Sequence, residues 1–286
     1  MRYAFIAAHE GAYGVKRMCQ ALRVRRSGYY AWRSRAAGLR EQANQRLVAE
    51  IQTAHQASRQ TYGSPRIHAT LRRKGICCGR NRVARLMRRH GIAARRPRRR
   101  FPVTTQRQAG AIPAPNRLNQ EFSAPAPNRK WVTDITYIDT VEGWLYLASV
   151  LDLYSRMVVG WAMSEQIDAA LVEAAWTMAV LRRNPPPGLL LHSDQGSQFT
   201  SLAYQQALAI QECQVSMSRV GNCYDNAVME SFFGTLKMEC ASRQFASRAQ
   251  ARTAIFEYIE AWYNRQRLHS SLGYLSPLEF ELQPRH

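Results

Sequence analysis

The stretch that decides the fold of this 286-residue chain reads WVTDITYI, at residues 131–138. Apolar and polar residues alternate along it, and most of its residues are β-branched or aromatic types that favour strands. Two further strand-like stretches follow after short turns, WLYLASVLDLY at 144–154 and MVVGWAM at 157–163. Short turns between successive strands predict that the three are antiparallel neighbours in one sheet.

Beyond these strands, the sequence alternates between helical and strand-like segments. Helices are predicted at 168–183, 200–212 and 248–267, and short strands at 189–194 and 214–218. Three consecutive strands followed by alternating helices and strands predict a mixed five-stranded sheet flanked by helices. The fold class predicted for this part of the chain is therefore α/β.

The charge of the chain is concentrated in its first third. The formal net charge is +20, and residues 1–100 contain 25 lysines and arginines but only three acidic residues. Such asymmetry is typical of a nucleic-acid-binding part joined to a part with a different task. The alternative is a basic surface kept for solubility.

Residues 62–91, YGSPRIHATLRRKGICCGRNRVARLMRRHG, predict two short helices joined by a tight turn. The first helix is expected to begin at Ser64, as its cap, with Pro65 in the first turn, and to end near Gly75. The second ends before Gly91, and the pair predicts a helix-turn-helix. Its second helix carries the arginines expected to contact DNA: Arg80, Arg82, Arg85, Arg88 and Arg89. The alternative is a helical hairpin with a solvated basic face.

Composition divides the chain into four predicted parts. Residues 1–58 form a basic N-terminal helical region, and residues 59–94 form the all-α helix-turn-helix-like region. Residues 95–126, rich in proline and arginine, are predicted to be a linker whose arginines follow a DNA backbone. Residues 127–286 hold the sheet and a C-terminal helical extension.

Several other classes of protein fit this composition poorly. No apolar run approaches the roughly 20 residues that span a bilayer, and the first apolar stretch is too short for a signal peptide. We therefore expect a cytoplasmic protein. The six cysteines show no pairing typical of a disulfide framework. His68, Cys77, Cys78 and His90 are close in sequence, but adjacent cysteines lack the usual spacing of a zinc site.

Three acidic residues in the core region are candidates for chemistry. Asp134 lies in the middle of the first strand, where an acid is costly unless it is paired or binds a metal. Asp194 ends the fourth strand, and ligands bind at such strand ends in open α/β sheets. Glu230 projects at the edge of the apolar stripe of a predicted helix within GNCYDNAVMESFFGTLK, at 221–237. Asp225, in the same stretch, is expected to start that helix.

Three such acids can hold two divalent ions, Mg²⁺ or Mn²⁺, because hard cations prefer carboxylate oxygens. Two ions about 3.5–4 Å apart stabilise the attacking and leaving oxygens in phosphoryl transfer. Any chain contains three acids, so composition alone does not single out this triad.

The spacing of the acids is more specific. Asp194 and Glu230 are separated by 35 residues, and Lys237 follows seven positions after the glutamate. Together with LDLYSR, HSDQGSQFTS and YNRQRLHSSLGYLSP, this pattern resembles the superfamily of retroviral integrases and insertion-sequence transposases. Within it, the chain is most similar to the second-frame (OrfB) product of insertion sequences with two overlapping reading frames. The resemblance runs from about Tyr62 to Phe280.

The resemblance implies a ribonuclease H-like catalytic core. It implies a DNA transposase that cleaves the 3′ ends of an insertion sequence and joins them to target DNA. Asp134, Asp194 and Glu230 would be its catalytic, metal-binding acids, holding two Mg²⁺ or Mn²⁺ ions per active site. Lys237 would contact DNA next to them.

The resemblance also implies roles for three neighbouring polar residues. Asp152 and Arg156, in LDLYSR, are expected to fix the geometry of a strand and its turn. His192 is expected beside the site, where a structural role and an orienting role both stay open.

The implied partners are duplex DNA, as terminal repeats and as target, and an upstream-frame OrfA-type protein, separate or fused. The resemblance further implies a homo-oligomer on DNA, a bacterial, nucleoid-associated location and no membrane. Two rival functions stay open at this point. One is a non-catalytic DNA-binding regulator of the element, and the other is a ribonuclease H-like nuclease acting on RNA–DNA hybrids.

Overall fold

The computed structural model describes residues 1–34, 38–95, 114–219 and 223–283, and the chain divides into two compact units, Met1–Thr53 and Ala54–His286. Most of the predicted linker at 95–126 lies outside the described residues. Among the described helices, none is long and apolar enough to cross a membrane.

The first unit consists of short helices. They are α1 (Arg2–His9), α2 (Val15–Ala21), α3 (Arg26–Ser34) and most of α4 (Leu39–Ala57). Ile6 of α1, Met18 and Cys19 of α2, and Tyr29 of α3 form a small buried core. The first three helices therefore fold around one another, although each is too short to be stable alone in water.

The second unit begins with the end of α4 and the predicted helix pair, α5 (Ser64–Arg73) and α6 (Arg80–Arg89). Gly75 and Gly91 have positive φ angles, which glycine adopts without strain, and each follows the end of a helix. The prediction for Ser64 is wrong in one respect. Gly63 occupies the capping position and no side chain caps α5, because Ser64 already lies within the first turn beside Pro65.

The sheet has five strands, as predicted. They are β1 (Lys130–Thr140), β2 (Gly143–Asp152), β3 (Val158–Ser164), β4 (Leu190–Ser193) and β5 (Gln214–Met217), in the order β3-β2-β1-β4-β5. Strands β1, β2 and β3 are antiparallel neighbours, whereas β4 runs parallel to β1 and β5 runs parallel to β4. The mixed sheet predicted from the order of the segments is therefore confirmed.

Helices cover both faces of the sheet. The remaining helices are α7 (Ala169–Arg183), α8 (Leu202–Ile210), α9 (Ala227–Glu239), α10 (Arg248–Glu257) and α11 (Pro277–Leu282). Trp131 of β1 packs with Trp176 of α7 in the main hydrophobic core. Because side chains alternate along a strand, Val132 and Asp134 face the opposite side, where α9 and α10 contact β1. The face that carries Asp134 is therefore the face of α9.

The predicted helix at 248–267 is divided in the structure. Helix α10 ends at Glu257 and continues as a π-helical segment, Tyr258–Tyr263. Four of the six residues in this segment are buried, and they are Tyr258, Ile259, Trp262 and Tyr263. π-Helical turns are rare in proteins and often occur where side chains need an unusual direction. Here the segment turns aromatic side chains into the interior.

The helix pair is attached to the C-terminal part of the second unit by specific hydrogen bonds. The Arg66 guanidinium donates to the Leu268 carbonyl at 2.9 Å, and the Leu268 amide donates to the Tyr62 hydroxyl at 2.7 Å. Arg73 of α5 also forms an ion pair with Glu279 of α11. These contacts join α5 to residues that follow the sheet in sequence.

Candidate active site

The parallel pairing of β1 with β4 brings the first two predicted acids side by side. The register runs from Lys130 opposite Leu190 to Val132 opposite His192. Continuing it by two residues places Asp134 opposite Asp194, immediately beyond the end of β4. Both acids are thus held by the central strands of the sheet.

The turn after β4 orients the Asp194 carboxylate. The Gly196 amide donates a hydrogen bond to Asp194 Oδ1 at 2.9 Å. A Cβ atom at position 196 would lie 3.0 Å from that oxygen and 2.9 Å from Gln198 Oε1, so both side-chain ends would have to shift to accommodate it. Glycine at this position therefore leaves room for the carboxylate, in agreement with the tight turn predicted there.

Glu230 lies in the first turn of α9 and is exposed. Met229, Phe232 and Leu236 of the same helix are buried, as the predicted apolar stripe requires. Lys237 follows two turns later on the side of Glu230, because residues seven apart in a helix share a face. The helix therefore presents both residues without giving up its packing against the sheet.

Electrostatic effects link Asp134 to Asp194, Glu230 and Lys237, and we call the three acids the acid cluster. Burial raises the pKa of Asp134 well above its usual range, the charges of Asp194 and Glu230 raise that pKa further, and Lys237 lowers it. Burial also raises the pKa of Glu230 and lowers that of Lys237. Because charge interactions weaken with distance, these effects on Asp134 indicate that Asp194, Glu230 and Lys237 all lie near it.

Three carboxylates are the donor set that Mg²⁺ and Mn²⁺ prefer, so the residues fit a divalent ion by their chemistry. Among the described residues, however, no group of three histidine, cysteine, aspartate or glutamate side chains lies close enough to hold a metal ion. The cluster therefore has the composition of a metal site, but its three acids do not converge on one point.

Asp225 has a different role from the predicted helix start. It is fully buried, and it accepts hydrogen bonds from the Arg219 amide at 2.9 Å, the Arg219 guanidinium at 3.0 Å and the Gln120 amide group at 3.0 Å. The bonds from Arg219 hold the pKa of Asp225 well below its usual range. Asn226 occupies the position before α9 instead. A buried carboxylate needs such donors, which is why Asp225 turns inward rather than capping the helix.

His192 is fully buried and structural in its contacts. Its two ring nitrogens lie 2.8 Å from Ser216 Oγ and 3.0 Å from Ser218 Oγ, both on or next to β5. Burial lowers the pKa of His192 to about 4, so the ring is neutral at neutral pH. Of the two roles left open for this residue, the contacts favour the structural one.

Asp152 and Arg156 fix the turn after β2, as predicted. Asp152 accepts hydrogen bonds from the Asn128 amide at 2.7 Å and the Tyr154 amide at 2.8 Å. Arg156 has a positive φ of 62° and donates to the Phe122 carbonyl at 2.8 Å. Neither residue is involved in the acid cluster.

Helix α6 turns its apolar side inward, with Val83, Leu86 and Met87 buried. Of the five arginines predicted to contact DNA, Arg82 is half-buried. The other four are exposed, and they are Arg80, Arg85, Arg88 and Arg89. Next to this helix, the His68 ring hydrogen-bonds to the Cys78 carbonyl at 3.0 Å.

One buried acid was not singled out by the sequence. Glu239, the last residue of α9, accepts hydrogen bonds from Tyr258 Oη and Trp262 Nε1, both at 3.1 Å, and from Arg267 at 3.0 Å. The sequence signal that could have identified it as buried is its position on the apolar stripe of α9, seven residues after Phe232. The π-helical segment supplies two of these donors.

Three ranges of the chain match known protein families. Residues 41–100 match the family described as HTH-like domain. Residues 124–223 and 211–277 match two families that are both described as Integrase core domain.

Whole proteins are similar too. The chain is 46% identical over 264 residues to the Insertion element IS600 uncharacterized 31 kDa protein of Shigella sonnei, covering 92% of this chain and 97% of that protein. It is 44% identical over 284 residues to Transposase InsF for insertion sequence IS3A of Escherichia coli (strain K12), covering 98% of each.

Solved structures are more distant. A simian T-cell lymphotropic virus intasome, in complex with PP2A regulatory subunit B56 gamma, is similar with a TM-score of 0.48 and 15% identity, over 76% of this chain and 71% of that one. The HTLV-2 integrase catalytic core domain in complex with magnesium gives a TM-score of 0.42 and 16% identity, over 55% and 98%. These similarities are too weak to assign function. The identity over nearly the full length does assign it: the chain belongs to the IS3 family of insertion-sequence transposases, with an integrase core domain of the DDE polynucleotidyl transferase type and an HTH-like domain.

Proposed function

We propose that this transposase cleaves the 3′ ends of its insertion sequence and joins them to target DNA, using Asp134, Asp194 and Glu230 as ligands of two Mg²⁺ or Mn²⁺ ions. The observation that carries the proposal is the register of β1 and β4, which sets Asp134 opposite Asp194, together with the packing of α9, the helix of Glu230 and Lys237, against β1. Membership of the family supplies the class of reaction.

Each residue contributes by its position. Asp134 is fixed by a strand that pairs on both sides, and Asp194 is oriented by the Gly196 amide. When bound, the ions stabilise the attacking and leaving oxygens of phosphoryl transfer. Lys237 binds a phosphate of the DNA beside the acids. Catalysis then rests on positioning and electrostatics, with no covalent protein intermediate.

The arginine-bearing face of α6 is proposed to bind duplex DNA, both terminal repeats and target. The predicted division into 1–58, 59–94, 95–126 and 127–286 would then separate DNA binding from chemistry. An OrfA-type upstream partner, separate or fused, and homo-oligomerisation on DNA complete the proposal. The proposed location is at the bacterial nucleoid, where the DNA is.

The test compares Glu230→Gln with Asp139→Asn in the full chain. Both substitutions remove one carboxylate charge, but Asp139 is an exposed residue of β1 whose carboxylate accepts a bond from Gln244 at 2.9 Å. The variants are incubated with Mg²⁺ and duplexes carrying candidate element ends, with and without the upstream partner. We expect Glu230→Gln to lower cleavage and joining on the order of 10²–10³-fold or more, whereas Asp139→Asn changes them less than about twofold.

The rival functions predict different products. Joining that survives unchanged in Glu230→Gln would remove this site from the reaction. Cleavage of RNA–DNA hybrids in preference to duplex DNA would favour a nuclease. Tight duplex binding without nicked or joined products, in either metal and with the partner present, would favour a regulator.

A further inference from the structure

The first three helices have the arrangement of a helix-turn-helix. Helix α2 (Val15–Ala21) is followed by a four-residue turn and then by α3 (Arg26–Ser34), while α1 packs against both around Ile6 and Tyr29. Two short helices joined by a turn of about four residues, with a third helix as support, are the geometry of DNA-binding modules of this type.

The turn itself is well defined. The Val24 amide donates to the Cys19 carbonyl at 2.9 Å, and the Arg23 amide donates to the Gln20 carbonyl at 3.1 Å. Arg23 has a positive φ of 52°, and the Val24 side chain packs on the buried core of this unit. The direction in which α3 leaves the turn is therefore fixed.

The exposed side of α3 is the side that could enter a groove of DNA. Arg26, Ser27 and Tyr30 lie near the beginning of the helix and are exposed, while Tyr29 is buried against α1. Positions 26, 27 and 30 share one face, since residues four apart are neighbours on a helix. In helix-turn-helix proteins, the first residues of the second helix contact base edges.

The charge of this surface suits a polyanion. Residues 1–34 contain seven lysines and arginines and one acidic residue, Glu10. Glu10 is already engaged by Arg33 and by the Tyr29 hydroxyl at 2.7 Å. Six other basic residues are exposed and take part in no ion pair among the described residues: Arg2, Lys16, Arg17, Arg23, Arg25 and Arg26.

We propose that residues 15–34 form a second helix-turn-helix, which binds duplex DNA. Arg26 and Tyr30 enter a groove, and Lys16 and Arg17, at the start of α2, contact phosphates. This site is separate from the HTH-like match, which covers residues 41–100. It does not depend on the catalytic acids.

The test measures duplex binding by the full chain in EDTA, so that cleavage does not interfere and a failure leaves the proposed chemistry untouched. Arg26→Ala/Tyr30→Ala is compared with Arg40→Ala, which removes an exposed arginine of α4 that lies outside both residues 15–34 and the HTH-like match. The probes are labelled duplexes with a candidate terminal sequence and with a scrambled sequence of equal length. We expect the double variant to bind the terminal duplex about tenfold more weakly or worse, and Arg40→Ala to change binding less than about threefold.

A second pair of substitutions tests the binding of phosphates. In Lys16→Ala/Arg17→Ala, the slope of log K against log salt should decrease in magnitude by about 0.9 for each phosphate that the variant no longer neutralises, for both duplexes alike. Circular dichroism confirms that each variant is folded, which is expected because all four residues are exposed.

The proposal is overturned if both double variants keep the wild-type affinity and salt slope for duplex DNA. It is equally overturned if they lose affinity for single-stranded RNA of the same length while duplex binding is unchanged. A loss in Arg40→Ala as large as in Arg26→Ala/Tyr30→Ala would show a diffuse charge effect rather than a helix-turn-helix.

Discussion

The two ends of α9 each carry a glutamate, and the fold surrounds them differently. Glu230, in the first turn, is exposed, and its charge, like that of Asp194, raises the pKa of Asp134. Glu239, the last residue, is buried and accepts hydrogen bonds from Arg267, Tyr258 and Trp262. One end of α9 thus holds a glutamate near other acidic residues, and the other end holds a glutamate surrounded by hydrogen-bond donors.

The difference separates a functional acid from a structural one. An acid that stabilises a fold needs partners that offset the loss of water, as Glu239 has. Grouping acids costs stability, because each charge raises the pKa of the next, and such grouping is concentrated at functional sites. A glutamate at one end of α9 therefore indicates function, whereas a glutamate at the other end stabilises the fold.

The sharpest test substitutes glutamine at each end. Glu239→Gln leaves the Arg267 guanidinium buried without its counter-charge, so we expect the free energy of unfolding to fall by about 3–5 kcal/mol. Glu230→Gln removes a charge from an exposed position next to like charges, so its free energy of unfolding should change by less than about 0.5 kcal/mol. Urea denaturation followed by circular dichroism measures both.

A control variant removes both members of the buried pair. Glu239→Leu/Arg267→Met should recover much of the stability lost in Glu239→Gln, because apolar groups of similar volume often replace a buried ion pair without loss. Equal losses in Glu230→Gln and Glu239→Gln would contradict the distinction between the two ends.

Much of the sheet was predictable, because it follows from local patterns. Alternation identified β1, and the turn signal at Gly196 identified the end of β4. The acids were singled out by the family resemblance, in which 35 residues separate Asp194 from Glu230, and whether these acids are the catalytic ones stays a prediction.

The roles of Asp225 and Glu239 were not predictable in the same way. Asp225 accepts a hydrogen bond from Gln120, 105 positions away, and Glu239 is paired with Arg267, 28 positions away. Side-chain pairs at such separations depend on the tertiary fold and leave no periodic signal in the sequence. The prediction for Asp225 used the local capping rule, and burial overrode it.

A buried histidine near Arg267 leads to a prediction about how the stability of the protein depends on pH. His269 is buried and its ring packs against Tyr263. Burial lowers the pKa of His269 to about 2, and the charges of Arg267, Arg66 and Arg156 lower it further. The unfolded chain protonates this histidine near pH 6.5 while the folded chain does not, so stability is complete above that pH and decreases as the pH falls below it.

Between pH 7 and pH 5.5, His269 should account for about 1 kcal/mol of lost unfolding free energy. His269→Phe keeps an aromatic ring and cannot be protonated, so the decrease over this range should be smaller by that amount. If the unfolding free energy of wild type and of His269→Phe depended on pH in the same way, the fold would not be preventing the protonation of His269.

The smallest expected effect tests whether α9 acts as a rigid connection between its two ends. Gly234 lies between Glu230 and Glu239, and a Cβ atom added there would meet nothing within 4 Å. Glycine inside a helix costs about 0.5–1 kcal/mol relative to alanine, so Gly234→Ala should raise the free energy of unfolding by that amount. If the helix is rigid, DNA joining should be unchanged. Higher stability together with slower joining would instead mean that α9 must deform for Glu230 to reach the other acids, which do not converge on one point in this structure.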